Sequence, residues 1–184
     1  MIDFSSVRRL NRTPIFKALS PVTAKGPQTD QGNPTDMGTV RYASHEIQLS
    51  VPFHDLDPLQ LVWHGNYLKY FDRARFALFS HCGVDLHAYS TSSGYFFPVT
   101  RTSTKHIRPL RYRDDFVVRA TVREAHIRIV LDFEIRLVKD GTVTTRGRGE
   151  QVAVKYPGDE LMLQIPPEIE NALTLRGTDD ADPA

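Results

Sequence analysis

Apolar and polar residues alternate along several short stretches of this chain, as in strands that bury one face. The first alternation runs from Glu46 to Phe53 and places Ile47, Leu49 and Val51 on its apolar side. Further strands are predicted at Val99–Ile107, at Phe116–Arg123, at Ile129–Leu137, and from the hairpin turn Asp140-Gly141 to about Tyr156. The pattern therefore predicts a sheet of about five strands.

Between residues 66 and 82 the apolar period changes to that of a helix. The residues on this face, spaced by four, three and four, are Tyr67, Phe71, Ala74 and Leu78. Asn66 suits the N-cap and Gly83 suits the C-terminal stop. Because Tyr70, Ala77 and Phe79 add apolar area elsewhere, we expect the helix to be surrounded. The order of one strand, one long helix and four strands predicts an α+β fold in which an antiparallel sheet wraps around a central helix. One helix cannot cover both faces of such a sheet, so dimerisation is also expected.

Composition sets the limits of the folded domain. Residues 20–38 contain no Leu, Ile, Phe, Tyr or Trp and are rich in Pro and Gly, which predicts a flexible linker. The preceding residues mix apolar and basic side chains, as in an amphipathic docking segment or a frayed leader. We predict a flexible extension over residues 1–41, the domain over 42–175 and a disordered acidic tail over 176–184.

Charge and cysteine content exclude several classes of protein. The 23 Lys and Arg residues balance 22 Asp and Glu residues, so the broad basic field of a general nucleic-acid binder is absent. A single cysteine, Cys82, cannot form an internal disulfide and favours a reducing compartment. No apolar run approaches the length of a membrane span, and the N-terminus lacks a secretory signal. We predict a cytoplasmic protein.

The segment between the first strand and the helix carries the candidate chemistry. It contains the carboxylates of Asp55 and Asp57 and the imidazoles of His54 and His64. The free N–H groups and positive dipole at a helix start can hold a developing oxyanion. A nearby carboxylate can act as nucleophile or general base, so this segment has the groups needed to hydrolyse an activated acyl group without a metal or other cofactor.

Each of these residues also fits a structural role. Asp55 and Asp57 equally fit turn caps, and His64 fits a histidine packed beside the helix start. Trp63 and Tyr67 are of types that more often pack than bind. The histidines and Asp55 lack the spacing of a metal site, so no metal is expected.

The chain resembles the hotdog-fold acyl-CoA thioesterases, in the branch of 4-hydroxybenzoyl-CoA thioesterase and the Tol–Pal-associated thioesterases. The resemblance is carried by residues 55–58, 62–68 and 71–75. The resemblance extends over residues 42–175 and includes 147–150 and 165–168. It implies a hotdog fold, hydrolysis of an acyl thioester and no cofactor. By the same resemblance, Asp57 is the catalytic carboxylate and the backbone N–H of His64 or Gly65 is the oxyanion donor. The residues assigned to substrate binding are Trp63, Asn66, Tyr67, Asp72, Gln60 and Arg128.

Three of these assignments have particular grounds. Asp72 matches an acidic position that touches the substrate ring in the hydroxybenzoyl branch, although relatives with other substrates also carry an acid there. Arg128 lies near a basic position used for coenzyme A in that branch, and a solvated sheet face explains it equally well. Gln60 replaces the usual Gly of the family, so either the loop follows another path or Gln60 adds a polar side chain to the site.

Two other functions are weighed against hydrolysis. Hotdog hydratases pair Asp and His in a shorter pattern, whereas Asp57 and His64 are seven residues apart. An acyl-thioester sensor of this fold usually carries a DNA-binding module, which the residues before Tyr42 do not resemble. The favoured prediction is a thioesterase acting as a homodimer or homotetramer. The Gln60 variant resembles thioesterases of aryl-polyene or polyketide-type pathways, so an acyl carrier protein is an alternative to coenzyme A. The acyl group stays open.

Overall fold

The computed structural model describes residues 40–175 of the chain. Its elements are β1 Arg41–Tyr42, β2 Ser44–Ser50, α1 Tyr67–His81, α2 Leu86–Ser93, β3 Tyr95–Phe96, β4 Val99–His106, β5 Asp115–Glu124, β6 Ile129–Leu137, β7 Val143–Gln151, β8 Val154–Lys155, β9 Glu160–Leu161, α3 Pro167–Leu173 and β10 Thr174–Leu175. The predicted acidic tail, and the predicted N-terminal extension apart from residues 40 and 41, lie outside the described residues. The domain boundaries therefore stay predictions.

Five strands form one antiparallel sheet in the order β2-β5-β6-β7-β4. The predicted alternation is confirmed on β5, where Phe116, Val118 and Ala120 are fully buried. The predicted hairpin between β6 and β7 is also confirmed, with Gly141 at a φ of 69° where a side chain would be strained. The α+β class and the five-stranded sheet follow from these local patterns.

Helix α1 lies across the inner face of this sheet. The helix residues that the sheet buries are Tyr67, Tyr70, Phe71, Ala74, Leu78 and Phe79. The rings of Phe71 and Phe133 stack with their centroids 4.6 Å apart, which joins the middle of α1 to β6. Tyr70 and Phe79 are buried, as expected of a surrounded helix, whereas Leu68 and Phe76 on the opposite face are exposed within one chain.

Two predicted strand limits are wrong. The first strand ends at Ser50, and Phe53 lies in a 3₁₀ turn with 67% of its surface exposed. Pro52 lacks the N–H group that would continue the ladder, which accounts for this end. The last long strand ends at Gln151, and Lys155 belongs to a separate short strand.

Two short helices, α2 and α3, were not predicted. Helix α2 starts where the Asp85 carboxylate accepts hydrogen bonds from the N–H groups of His87 and Ala88. Its sequence is polar and only Leu86 is buried, so no helical period of apolar residues marks it. It ends at Gly94, whose φ is 72°.

The outer face of the sheet carries cross-strand ion pairs. Asp132 on β6 accepts from Arg123 on β5 and Arg148 on β7, at 2.8 and 2.7 Å. The hydrogen bond from Arg148, which outweighs burial, lowers the pKa of the Asp132 carboxyl. Glu46 bridges Arg119 and Arg136 in the same manner. The outer face of the sheet is therefore a charged, solvated surface.

Candidate active site

A tight hairpin connects β2 to the start of α1. The Gln60 N–H donates to the Asp57 carbonyl at 3.0 Å, and the Asp57 N–H donates to the Leu61 carbonyl at 2.7 Å. Leu56 pairs with Val62 as an antiparallel bridge. Residues 55–57 therefore run alongside residues 61–63, which places Asp57 next to the chain that enters the helix.

The Asp57 carboxyl is half-buried and makes no ion pair with residues 40–175. Its Oδ1 accepts hydrogen bonds from the backbone N–H groups of Leu59 at 2.8 Å and Leu61 at 3.2 Å. Its Oδ2 accepts from no donor in the described part of the chain. Asp57 thus caps the turn with one oxygen, as one of the two interpretations expected, and leaves the second oxygen available.

Asp55 has a different role, because it is 2% exposed and held by polar groups of α1. Its carboxyl forms an ion pair with Lys69 and accepts from the Tyr70 hydroxyl at 2.7 Å. Burial alone would raise the pKa of this carboxyl, but the hydrogen bonds from Lys69 and Tyr70 outweigh it and lower the pKa. Asp55 therefore anchors the loop to the helix. Sequence reasoning missed Lys69 and Tyr70, since no local spacing connects them to a residue a whole loop away.

The backbone of Asp55 completes this anchor. Its carbonyl accepts from the Trp63 N–H and from the Asn66 side-chain amide, both at 2.9 Å. Asn66 occupies the N-cap position as predicted, but its side chain does not cap the helix and binds the loop instead.

A 3₁₀ turn over residues 64–66 leads into α1. Within residues 40–175 the N–H groups of His64 and Gly65 donate to no acceptor, whereas the Asn66 N–H donates to the Trp63 carbonyl at 2.8 Å. Unpaired N–H groups at the start of a helix attract negative charge. Trp63 is half-exposed, and its indole ring lies over Gly65 and 5.0 Å from the His64 ring.

Tyr67 belongs to the core rather than to an open pocket. It is 2% exposed, and its hydroxyl accepts from the Leu110 N–H at 3.1 Å. Burial raises the pKa of the Tyr67 hydroxyl. The His106 ring packs edge-on against Tyr67 at 4.5 Å, and burial, with the charge of His64, lowers the pKa of His106. His106 therefore lies beside the helix start, a position that no spacing in the sequence indicated.

Two predicted substrate residues are held in ion pairs within one chain. Asp72 is on the exposed face of α1 and pairs with Arg75 at 3.0 Å. Arg128 follows β5 and pairs with Glu124 and Glu150. The hairpin hydrogen-bonds to Leu110, which precedes β5, whereas Arg128 follows the last residue of β5, so this ten-residue strand lies between them in the chain.

The described residues contain no group of three or more His, Cys, Asp or Glu side chains arranged to hold a metal ion. None of the helices in residues 40–175 is both long enough and apolar enough to cross a bilayer.

The sequence profile of the thioesterase-like superfamily matches residues 51–173, which include the hairpin, α1 and all of the main sheet except β2. The chain belongs to this superfamily. The predicted family is thereby confirmed, and the prediction of a thioester hydrolase is confirmed at the level of the family.

Individual proteins resemble the chain at lower similarity. A Synechocystis protein provisionally named an esterase is 28% identical over 133 residues, which are 71% of this chain and 80% of that protein. A 1,4-dihydroxy-2-naphthoyl-CoA thioesterase from Synechocystis superposes with a TM-score of 0.65 at 19% identity, covering 71% of this chain and 95% of that one. The 4-hydroxybenzoyl-CoA thioesterase from Pseudomonas sp. strain CBS-3 superposes with a TM-score of 0.63 at 20% identity, covering 70% of this chain and 98% of that one. These structures confirm the hotdog fold.

Proposed function

We propose that this thioesterase-superfamily protein hydrolyses an acyl-CoA thioester, with Asp57 as its catalytic carboxylate. The observation that carries the proposal is the contrast between the two aspartates of the loop. Asp55 is buried in an ion pair with Lys69, whereas Asp57 keeps one carboxylate oxygen without a partner in the described residues. Acyl-CoA as the substrate class is supported by the names of the two structurally similar thioesterases.

The helix start supplies the second part of the mechanism. The thioester carbonyl oxygen accepts hydrogen bonds from the unpaired N–H groups of His64 and Gly65. As the tetrahedral intermediate forms, negative charge collects on this oxygen and is stabilised by these donors and by the helix dipole. Both donors are fixed by the backbone before the substrate arrives, so no reorganisation accompanies the reaction.

Asp57 acts on the carbonyl carbon by one of two routes. As a general base, Oδ2 takes a proton from water while the water oxygen bonds to the carbon, after which the C–S bond breaks and the thiolate leaves. As a nucleophile, Oδ2 bonds to the carbon, expels the thiolate and forms an anhydride that water then cleaves. A single turnover in ¹⁸O-water tests for anhydride cleavage at the Asp57 carboxyl carbon, because that cleavage leaves ¹⁸O on Asp57 and an unlabelled Asp57 oxygen in the product acid, whereas the general-base route puts ¹⁸O into the product acid.

Thiol release from a panel of short, long and aryl acyl-CoA substrates tests the proposal. Asp57→Asn and Asp57→Ala are expected to lower turnover by at least about 100-fold, as loss of a catalytic acid or base does. The matched control is Asp159→Asn, which removes an exposed carboxylate from a distant turn and is expected to keep parental turnover. Circular dichroism verifies that the variants fold. Parental turnover in Asp57→Ala would contradict the proposal.

The same panel separates the other functions considered. Consumption of crotonyl-CoA without thiol release would identify a hydratase, and recovery of intact bound thioester would identify a sensor. Comparing each acyl group on coenzyme A and on a carrier protein decides the carrier.

We also infer that two copies of the chain associate through β4. This strand lies at one edge of the sheet, hydrogen-bonds only to β7 among the described strands, and exposes all eight of its residues. An unpaired edge is a template for strand addition. Ser103→Pro and Thr104→Pro each remove one backbone N–H group. Successive N–H groups on a strand point to opposite sides, so one of these two points away from β7, toward the proposed partner strand. We expect at least one variant to elute as a monomer, with Ser103→Ala as the control; a monomeric parent would contradict the inference.

A further inference from the structure

A cleft of about 170 Å³ lies between α1, β4 and the end of β7. Leu68, Phe71 and Phe133 supply apolar walls, and Arg75 and Gln151 are among the residues that add polar groups, with Asp72 and Thr102. A small cleft with apolar walls and a few polar groups is the usual form of a site for a small organic group.

The Arg75 guanidinium beside the cleft is held by two contacts. Its side chain is 13% exposed, its Nη2 pairs with the Asp72 carboxylate at 3.0 Å, and its Nη1 donates to the Gln151 side-chain carbonyl at 2.7 Å. Gln151 itself is 1% exposed. The ring of Phe76 lies 4.9 Å from the guanidinium carbon. Arg75 is therefore fixed beside the cleft rather than extended into solvent.

The third nitrogen of this side chain has no acceptor. Arg75 Nε is buried and makes no hydrogen bond to any residue from 40 to 175. Buried polar groups in folded proteins are almost always hydrogen-bonded, because an unpaired donor loses its hydration without replacement. In a residue that lines a cleft, this donor is suited to an acceptor on a ligand.

The cleft is within reach of the proposed reaction centre. Leu68 is one turn along α1 from Gly65, and Arg75 is ten residues from it, or about 15 Å along the helix axis. Side chains on a helix lean toward its N-terminus, which shortens the distance from the guanidinium to the helix start. An acyl group whose carbonyl lies at the His64 and Gly65 amides can thus extend beside α1 toward Arg75.

We propose, building on the proposed function, that the cleft receives the acyl group and that Arg75 Nε donates to a neutral oxygen at its far end. A hydroxyl or a carbonyl oxygen has this chemistry. A carboxylate is disfavoured because Asp72 already balances the charge of Arg75, so a second anion would lie next to the first. Arg75 is therefore a specificity residue that contacts the substrate away from the thioester.

Paired substrates test this assignment. Acyl-CoA thioesters of six, eight and ten carbons are compared with their ω-hydroxy and ω-carboxy forms, and kcat/KM is measured by thiol release. In the parent we expect at least one ω-hydroxy form to exceed its plain partner by about 10-fold, the effect of one charge-assisted hydrogen bond. The ω-carboxy form is expected to fall below the ω-hydroxy form.

Two variants examine the contact and the cleft separately. Arg75→Lys keeps the positive charge but lacks Nε, so we expect the ω-hydroxy preference to fall to about 1-fold to 2-fold. Arg73→Lys makes the same exchange on the exposed side of α1 and is expected to keep the preference. Gly149→Ala adds a methyl group 3.4 Å from Phe133, an ordinary contact, and is expected to raise KM for long acyl groups but not for acetyl-CoA.

The outcomes separate this inference from the function on which it rests. An ω-hydroxy preference that is absent in the parent, or unchanged in a folded Arg75→Lys variant, overturns the role of Arg75 while hydrolysis stands. Equal KM changes for acetyl and long acyl groups in Gly149→Ala overturn the cleft as the acyl site. Absence of thiol release from every substrate overturns the proposed function and this inference with it.

Discussion

The indole ring of Trp63 occupies the space that a side chain on Gly65 would need. A Cβ atom built on Gly65 would lie 2.2 Å from Cζ3 of that ring, far inside van der Waals contact. A side chain at position 65 would therefore displace the indole ring of Trp63. The geometry of the proposed oxyanion donors depends on this pair.

Gly65→Ala is predicted to lower kcat/KM by at least about 10-fold, because the indole must move and the turn that carries the N–H groups shifts with it. In a Trp63→Ala background the added methyl group meets no ring, so the same substitution is expected to change kcat/KM by less than about twofold. The four proteins of this cycle are compared by thiol release. Equal losses in both backgrounds would contradict the steric explanation.

Gln60→Gly is predicted to stabilise the protein. Gln60 has a φ of 62°, a left-handed conformation that costs a residue with a side chain about 1 kcal/mol. Urea unfolding is expected to show this gain, while Leu59→Gly, in the same turn at a negative φ, should destabilise by about 0.5–1 kcal/mol. A lower midpoint for Gln60→Gly would show that the Gln60 side chain makes a contact worth more than the strain.

Asp55→Asn is predicted to destabilise the protein by about 1–3 kcal/mol at pH 7, since it removes the charged acceptor of a buried hydrogen-bonded group. The pKa of Asp55 is lowered in the folded state. Its carboxylate therefore stabilises the fold above the unfolded pKa of about 4, and this contribution is lost as pH falls through the lower folded value. Urea unfolding at pH 7 and pH 3 should show the two proteins converging at acid pH. A difference independent of pH would contradict the argument.

Gly147→Ala is predicted to cost about 1–3 kcal/mol through overpacking. An added Cβ would lie 2.5 Å from the ring of Phe71, which is stacked on Phe133 and cannot yield freely. Gly149→Ala on the same strand is the matched control, with its nearest contact at 3.4 Å. Thermal unfolding compares the two variants; equal stabilities would show that α1 adjusts to the extra methyl group.

The main sheet and the long helix could be predicted because their periods are local and strong. The alternation on β5 and the apolar face of α1 are both found where the sequence places them. Helix α2 was missed because its ends depend on Asp85 and Gly94 while its interior is polar. The exposed face of α1 was missed because apolar Leu68 and Phe76 remain at the surface.

The candidate site was predicted in outline from the loop and the helix start. Its internal contacts were not, because they join residues distant in sequence. Asp55 and Asp57 are the same residue type, and the structure distinguishes them by the contacts of Lys69 and Tyr70 with Asp55. The positive φ of Gln60 is the conformation that glycine would favour, which argues against a different loop path at this position.

The double use of Asp55 has a kinetic consequence. Its carboxylate binds the first turn of α1 while its carbonyl holds the Trp63 amide, so unwinding that turn also releases the loop. Amide exchange at Trp63 and at the beginning of the helix should therefore report a single opening event. During folding, the amides proposed as oxyanion donors are therefore expected to become ordered only when this helix has docked.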